Sequence, residues 1–106
     1  MTYRALMVLR MDPADAERVA AAFEDHDTTG LPEEIGLTRR TLFRFHDLYM
    51  HLIEADDDVL PKILEARDDP RFRKVNEEVG RYLTPYASDW SRLTDSKAEV
   101  IYTWEA

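Results

Sequence analysis

Hydrophobic positions along the chain fall into two periods, near two and near 3.6 residues, and the switches between them outline the elements. The clearest run is the aromatic-rich pair Thr38 to Phe45 and Leu48 to Ala55, separated only by His46 and Asp47. Two alternating runs around so short a break predict a β-hairpin. A two-residue loop also sets the pairing: Phe45 with Leu48, Arg44 with Tyr49, Phe43 with Met50, Leu42 with His51, Thr41 with Leu52 and Arg40 with Ile53. His46-Asp47 is not the Asn-Gly or Asp-Gly turn that such loops prefer, so a bulge here would shift Arg40 relative to His51. Opposed residues share a face. One face is then Phe43, Phe45, Leu48, Met50 and Leu52, apolar enough to be covered by helices. The other is Arg40, Leu42, Arg44, Tyr49, His51 and Ile53, a mixture of cations, phenol, imidazole and aliphatics that suits the wall of a pocket.

The rest of the chain supplies what such a hairpin packs against. Tyr3 to Met11 is apolar at nearly every position and predicts a strand covered on both faces. Asp12-Pro13 caps a helix with Ala16, Val19, Ala20 and Phe23 on one side, running out into the loop-like stretch Glu24 to Gly36. Val59 to Arg67 reads as helix, with Pro61 tolerated in its first turn, and Asp69-Pro70 opens another whose stripe is Phe72, Val75, Val79 and Leu83, closed by Pro85. Ala87 to Ser96 reads as loop pinned by Trp90 and Leu93, and the β-branched and aromatic run Lys97 to Trp104 as a final strand. Strand, helix, strand, strand, helix pair, strand predicts an α+β, ferredoxin-like fold: a four-stranded antiparallel sheet with helices on one face. Leu6, Val8, Leu42 and Ile53 are expected on the other face, which a second copy would cover. A homodimer with a cavity against each sheet, a dimeric α+β barrel, is therefore the expected state.

Size and charge narrow the function. The chain has 106 residues, no sequence repeat and no linker, so one domain over residues 1–106 is expected. Its 22 acidic against 14 basic side chains leave a net charge of −8, which argues against nucleic-acid or anionic-membrane partners. With no cysteine there is no disulfide, thiolate metal site or cysteine nucleophile. No signal-peptide pattern or membrane-length apolar run is found, and a cytoplasmic protein is expected.

The candidate chemistry lies in Arg40, Arg44, Tyr49 and His51 of the hairpin and in His26 and Asp27 at the exit of the first helix. A histidine in a partly dry pocket is a natural general acid or base, and an arginine offers fixed donors to an enolate or carboxylate. Such a set suits proton abstraction beside a carbonyl and needs no redox group. Each residue also has a plainer reading: packing for His51 and Tyr49, ion pairs across a dimer interface for Arg40 and Arg44, solvent exposure for His46. No HxH or HExxH spacing is present, and Asp56 to Asp58 lacks the spacing of a calcium loop, so no metal site is expected.

The segments RALMVLRMDPADAE, EDHDTTGLPEEIG, RRTLFRFHDLYMHLIEADDD, NEEVGRYLTPYASDW and DSKAEVIYTW together resemble the small aromatic polyketide cyclases, over essentially the whole chain. The resemblance implies a dimeric ferredoxin-like fold, no cofactor, and an intramolecular aldol condensation followed by dehydration of a partly cyclised aromatic polyketide in antibiotic biosynthesis. It implies catalytic or cavity roles for His26, Asp27, Arg40 and His51 and also matches Arg44 and Tyr49; with Leu42 and Ile53 from the mixed hairpin face, these two are the expected substrate contacts. Two other functions fit the same fold: a cofactorless monooxygenase acting on anthrone-type polyketides, and a non-catalytic polyphenol-binding protein.

Overall fold

In the computed structural model, which describes residues 2–90 and 93–106, the first strand, β1 (Tyr3–Met11), pairs on both sides. Asp12 caps the turn that follows, accepting from the Ala14 N–H at 2.9 Å, and a short 3-10 turn leads into α1 (Ala16–Asp27). That helix runs through Glu24 to Asp27, which the sequence had suggested as its frayed exit. Its buried stripe is Val19, Ala22, Phe23 and His26, with Ala20 turned to solvent. The extension matters because it carries His26 onto the core side, one turn beyond Ala22 and Phe23.

A second departure follows at once. Leu31–Ile35, expected as loop, forms the short helix α2, with Pro32 in its first turn where a missing N–H costs nothing. Gly30 (φ 85°) and Gly36 (φ 107°) bracket it in left-handed conformations that favour glycine. Strands β2 (Leu37–Phe45) and β3 (Leu48–Ala55) then form the hairpin. Its register is the expected one at all six pairs from Phe45↔Leu48 to Arg40↔Ile53. The turn closes with His46 alone at positive φ (54°), and the bulge lies at the opposite end, between Leu37 and Arg39. Helices α3 (Leu60–Ala66) and α4 (Pro70–Gly80) come next; Asp69 caps α4 through the Arg71 N–H at 2.9 Å. Arg71 also salt-bridges Glu34, tying α4 to α2.

The sheet is four-stranded and antiparallel in the order β2-β3-β1-β4, the ferredoxin-like arrangement, with its helices on one side. Its fourth strand is not Lys97 to Trp104 but the two-residue β4 (Leu83–Thr84), against Arg10 and Met11. Past the 3-10 turn Leu93–Ser96, Lys97 bridges Met7, and the Ala98 N–H donates to Leu6 at 2.7 Å, before the chain leaves the edge of β1. Val100, Ile101, Tyr102 and Trp104 are then 68–90% exposed. High β-propensity alone does not make a strand: the outer edge of β1 continues to Tyr3, but after Ala98 the chain makes no further bridge to it among the described residues. The expectation that Leu93 pins this region lies outside the described side chains.

The two faces of the hairpin are exchanged relative to expectation. Helices cover Tyr49, His51, Ile53 and Ala55, whereas Phe43 and Phe45 are 49% and 60% exposed. The partner strand decides this: β1 sets Ala5 opposite Ile53, Met7 opposite His51 and Leu9 opposite Tyr49, and so brings its buried residues to the mixed face. Leu6 and Val8, grouped above with Leu42 and Ile53, lie opposite Leu52 and Met50 and belong to the uncovered face. Two apolar clusters result, one of Met11, Val19, Phe23, Tyr49, Val75 and Val79, the other of Leu31, Ile35, Ile53, Ala55, Val59 and Ile63. Burying each such aliphatic side chain contributes about 1.5–3 kcal/mol.

Candidate active site

Where the two clusters meet, between the sheet and its helices, lies a cavity of about 170 Å³. It is formed within one chain, on the helix side of the sheet, and not on the face expected to meet a second copy. Its walls are largely apolar: Met7 and Leu9 of β1, Phe23 of α1, Pro32 and Ile35 of α2, Ile53 of β3, Ile63 of α3, Phe72 and Val79 of α4. Into this lining β2 and β3 project Arg40, Tyr49 and His51, and α1 projects His26.

These polar groups form one connected row. The Asp27 carboxylate holds Arg40 through Nε (3.1 Å) and Nη2 (3.0 Å). On the far side of the guanidinium, Arg40 Nη1 lies 2.8 Å from His51 Nε2, and His51 Nδ1 lies 3.1 Å from the Tyr49 hydroxyl. Phe23 seals the row from the helix side, its ring 4.8 Å from the Arg40 guanidinium carbon and edge-on to His51 at 5.0 Å. Tyr49 and His51, two apart on β3, share a face by strand alternation, and the hairpin register brings Arg40 to them diagonally.

Burial and the fixed positive charge of Arg40 set the protonation of the row. Burial first, and then Arg40, push the His51 pKa down to about 3, so the ring is neutral at pH 7. Burial pushes the Tyr49 phenol well above its ordinary value, with Arg40 opposing, so it stays protonated. The His26 pKa is also lowered, by burial and then by Arg40, while Asp27 acts weakly the other way. Its Nδ1 is buried with no hydrogen-bond partner among the described residues. His26 lies in the partition between this cavity and a second, outer cleft flanked by Arg71 and Lys74, and it borders both.

Of the residues singled out in the sequence, the structure brings His26, Asp27, Arg40, Tyr49, His51 and Ile53 to this place. Asp27 engages Arg40. Two residues do not reach the cavity. Arg44 is exposed near the hairpin tip, donating to the His46 carbonyl at 3.2 Å, because β2 there extends past the covering helices. Leu42 packs against the first apolar cluster and not on the cavity wall. Phe23 and Asn76 were not anticipated as site residues. Phe23 reads as one more apolar position on a helical stripe, and its place over Arg40 is set only when α1 docks. Among the described residues no group of three or more His, Cys, Asp or Glu side chains is placed to hold a metal ion, and no helix is long and apolar enough to cross a membrane.

A permanent cation, a protonated phenol and neutral imidazoles in a largely apolar hollow can stabilise negative charge that develops on an oxygen of a bound molecule. Tetracenomycin F2 cyclase of Streptomyces glaucescens is 72% identical over 106 residues, covering 100% of this chain and 97% of that protein. Its solved structure, described as that of a type-II polyketide cyclase, superposes with a TM-score of 0.94 over 98% of each chain. The polyketide synthase CurG of Streptomyces cyaneus is 33% identical over 104 residues, 97% of each protein. A candidate antibiotic biosynthesis monooxygenase from Caulobacter crescentus, 16% identical with a TM-score of 0.59 over 77% of this chain and 78% of that one, shares the fold alone. Residues 3–105 match the model of the polyketide synthesis cyclase family, and the chain, a polyketide cyclase, belongs to it.

Proposed function

We propose that the protein closes a ring of a partly cyclised aromatic polyketide, of the tetracenomycin F2 kind, by intramolecular aldol condensation and dehydration, without a cofactor and in the cytoplasm. The observation that carries the reading is the Asp27–Arg40–His51–Tyr49 row on the wall of an apolar cavity. Arg40, steadied by Asp27, stabilises the enolate or phenolate oxygen. His26, neutral and with an unengaged Nδ1, carries protons to and from the substrate. Ile53 and the aliphatic walls hold the reacting chain in one conformer, which by itself brings the condensing carbons together. Ligand pockets for drug-sized molecules begin near roughly 300 Å³, so the cavity widens when a multi-ring substrate enters.

The test is incubation of the purified protein with tetracenomycin F2 under chelator and without oxygen, followed by mass spectrometry. Loss of water supports ring closure. Product that forms only in air, with gain of oxygen, moves the assignment to a monooxygenase, and tight binding without conversion moves it to a carrier.

The uncovered face of the sheet, with Leu6, Val8, Phe43, Phe45, Met50 and Leu52, supports a homodimer as the working form. Phe43 and Phe45 are 49% and 60% exposed, and the C-terminal run Val100 to Trp104 adds further exposed apolar surface. Light scattering behind size exclusion checks this, with a monomer mass at micromolar concentration counting against it.

A further inference from the structure

Hydrogen-bond bookkeeping along the row assigns a proton to each atom. Arginine can only donate, so His51 Nε2, 2.8 Å from Arg40 Nη1, accepts and carries no hydrogen. A neutral imidazole has one N–H, which must then be on Nδ1. At 3.1 Å that N–H donates to the Tyr49 oxygen. The reverse direction, phenol donating to Nδ1, would leave both ring nitrogens bare, an imidazolate. The phenol oxygen is therefore an acceptor toward His51, and its own O–H is left to point elsewhere. Tyr49 is 3% exposed and, among the described residues, its hydroxyl has no hydrogen-bond partner besides His51, but it lines the cavity.

We propose that the Tyr49 O–H is a hydrogen-bond donor to a substrate oxygen that shares the developing negative charge, aimed there by the Arg40–His51 pair, and that His51 is a positioning residue that relays no proton during turnover. The proposal rests on the cyclase reading above. The hydrogen is donated and not transferred, since the phenol remains protonated throughout. The Arg40 guanidinium and the Tyr49 hydroxyl lie on opposite sides of the His51 ring and so serve different oxygens of the substrate, while proton traffic is left to His26.

Nitrogen-15 NMR of histidine-labelled protein reads the tautomer directly and needs no substrate. The expected result is His51 as a neutral Nδ1–H ring that does not titrate between about pH 5 and pH 9; an Nε2–H ring, or titration in that range, overturns the proposal. In steady-state cyclisation, Tyr49→Phe is expected to lower kcat by about 10²-fold, the effect of removing one oxyanion donor, with KM changed much less. His51→Asn, whose amide N–H can replace Nδ1–H, is expected to retain at least ten times the kcat of His51→Ala. Tyr49→Phe within about twofold of the parent, or His51→Asn as impaired as His51→Ala, overturns it. A parent protein that converts no polyketide overturns the catalytic role together with the function it rests on. An active parent with an indifferent Tyr49→Phe overturns Tyr49 alone.

Discussion

The two sides of the sheet are made from the same alternating strands and comparable amounts of apolar side chain, yet they end in opposite states. On the helix side Ala5, Met7, Ile53 and Ala55 are at most 6% exposed and enclose the hydrogen-bonded polar row. On the other, two phenylalanines stand half in solvent. Large aromatic content does not decide which side becomes the core. What decides is whether neighbouring elements present small and medium apolar groups in register and whether the polar groups caught between them can satisfy one another. Arg40, His51 and Tyr49 can be buried because each supplies what the next one lacks.

Substitutions matched across the sheet test that contrast. The largest effect is expected from Ile53→Ala on the covered side, a loss of about 2–5 kcal/mol in urea unfolding; Phe43→Ala on the open side should cost less than about 1 kcal/mol. Equal costs would show that the open face is buried in solution. Next is Arg40→Ala, which leaves Asp27 and the His51 Nε2 without their partner. A drop of about a hundredfold in kcat/KM is expected, against less than about twofold for His46→Ala at the exposed turn. Equal effects in steady-state assays would remove Arg40 from the chemistry.

Acidification probes the same burial. The folded His51 pKa lies below that of the unfolded chain, so the unfolded state binds more protons as the pH falls from about 6.5 toward about 3, and stability declines over that window. Between pH 7 and pH 5 the loss from this one histidine is about 2 kcal/mol. His26, shifted in the same direction, adds to it. Urea titrations at the two pH values check the slope, which His51→Asn should flatten. The smallest effect belongs to the hairpin tip. His46 has φ 54°, a conformation in which glycine relieves strain, so His46→Gly should stabilise by no more than about 1 kcal/mol with activity unchanged.

What could be read in the sequence was local. The hairpin register follows from a two-residue loop, and with it the nearness of Arg40 to His51. The covered side of the sheet could not be read this way, because it depends on β1 and on helices docked from elsewhere in the chain. Leu31 to Ile35 lies in a stretch that reads as loop, although proline in a first turn is compatible with a helix start. Lys97 to Trp104 has strand composition, but composition says nothing about whether the segment stays beside the edge of β1 after Ala98. The Tyr49–His51–Arg40 row was visible only as three polar residues on one face; its direction of donation required distances.

Because Asp27, Arg40, His51 and Tyr49 all come from one polypeptide and meet on the side away from Phe43 and Phe45, association through the open face would leave every site chemically self-sufficient. Mixed assemblies of intact and Arg40→Ala subunits should then work in simple proportion to the intact fraction, with neither rescue nor poisoning by the neighbour. Such independence would let the outward surface change its companions over evolution without retuning the reaction inside.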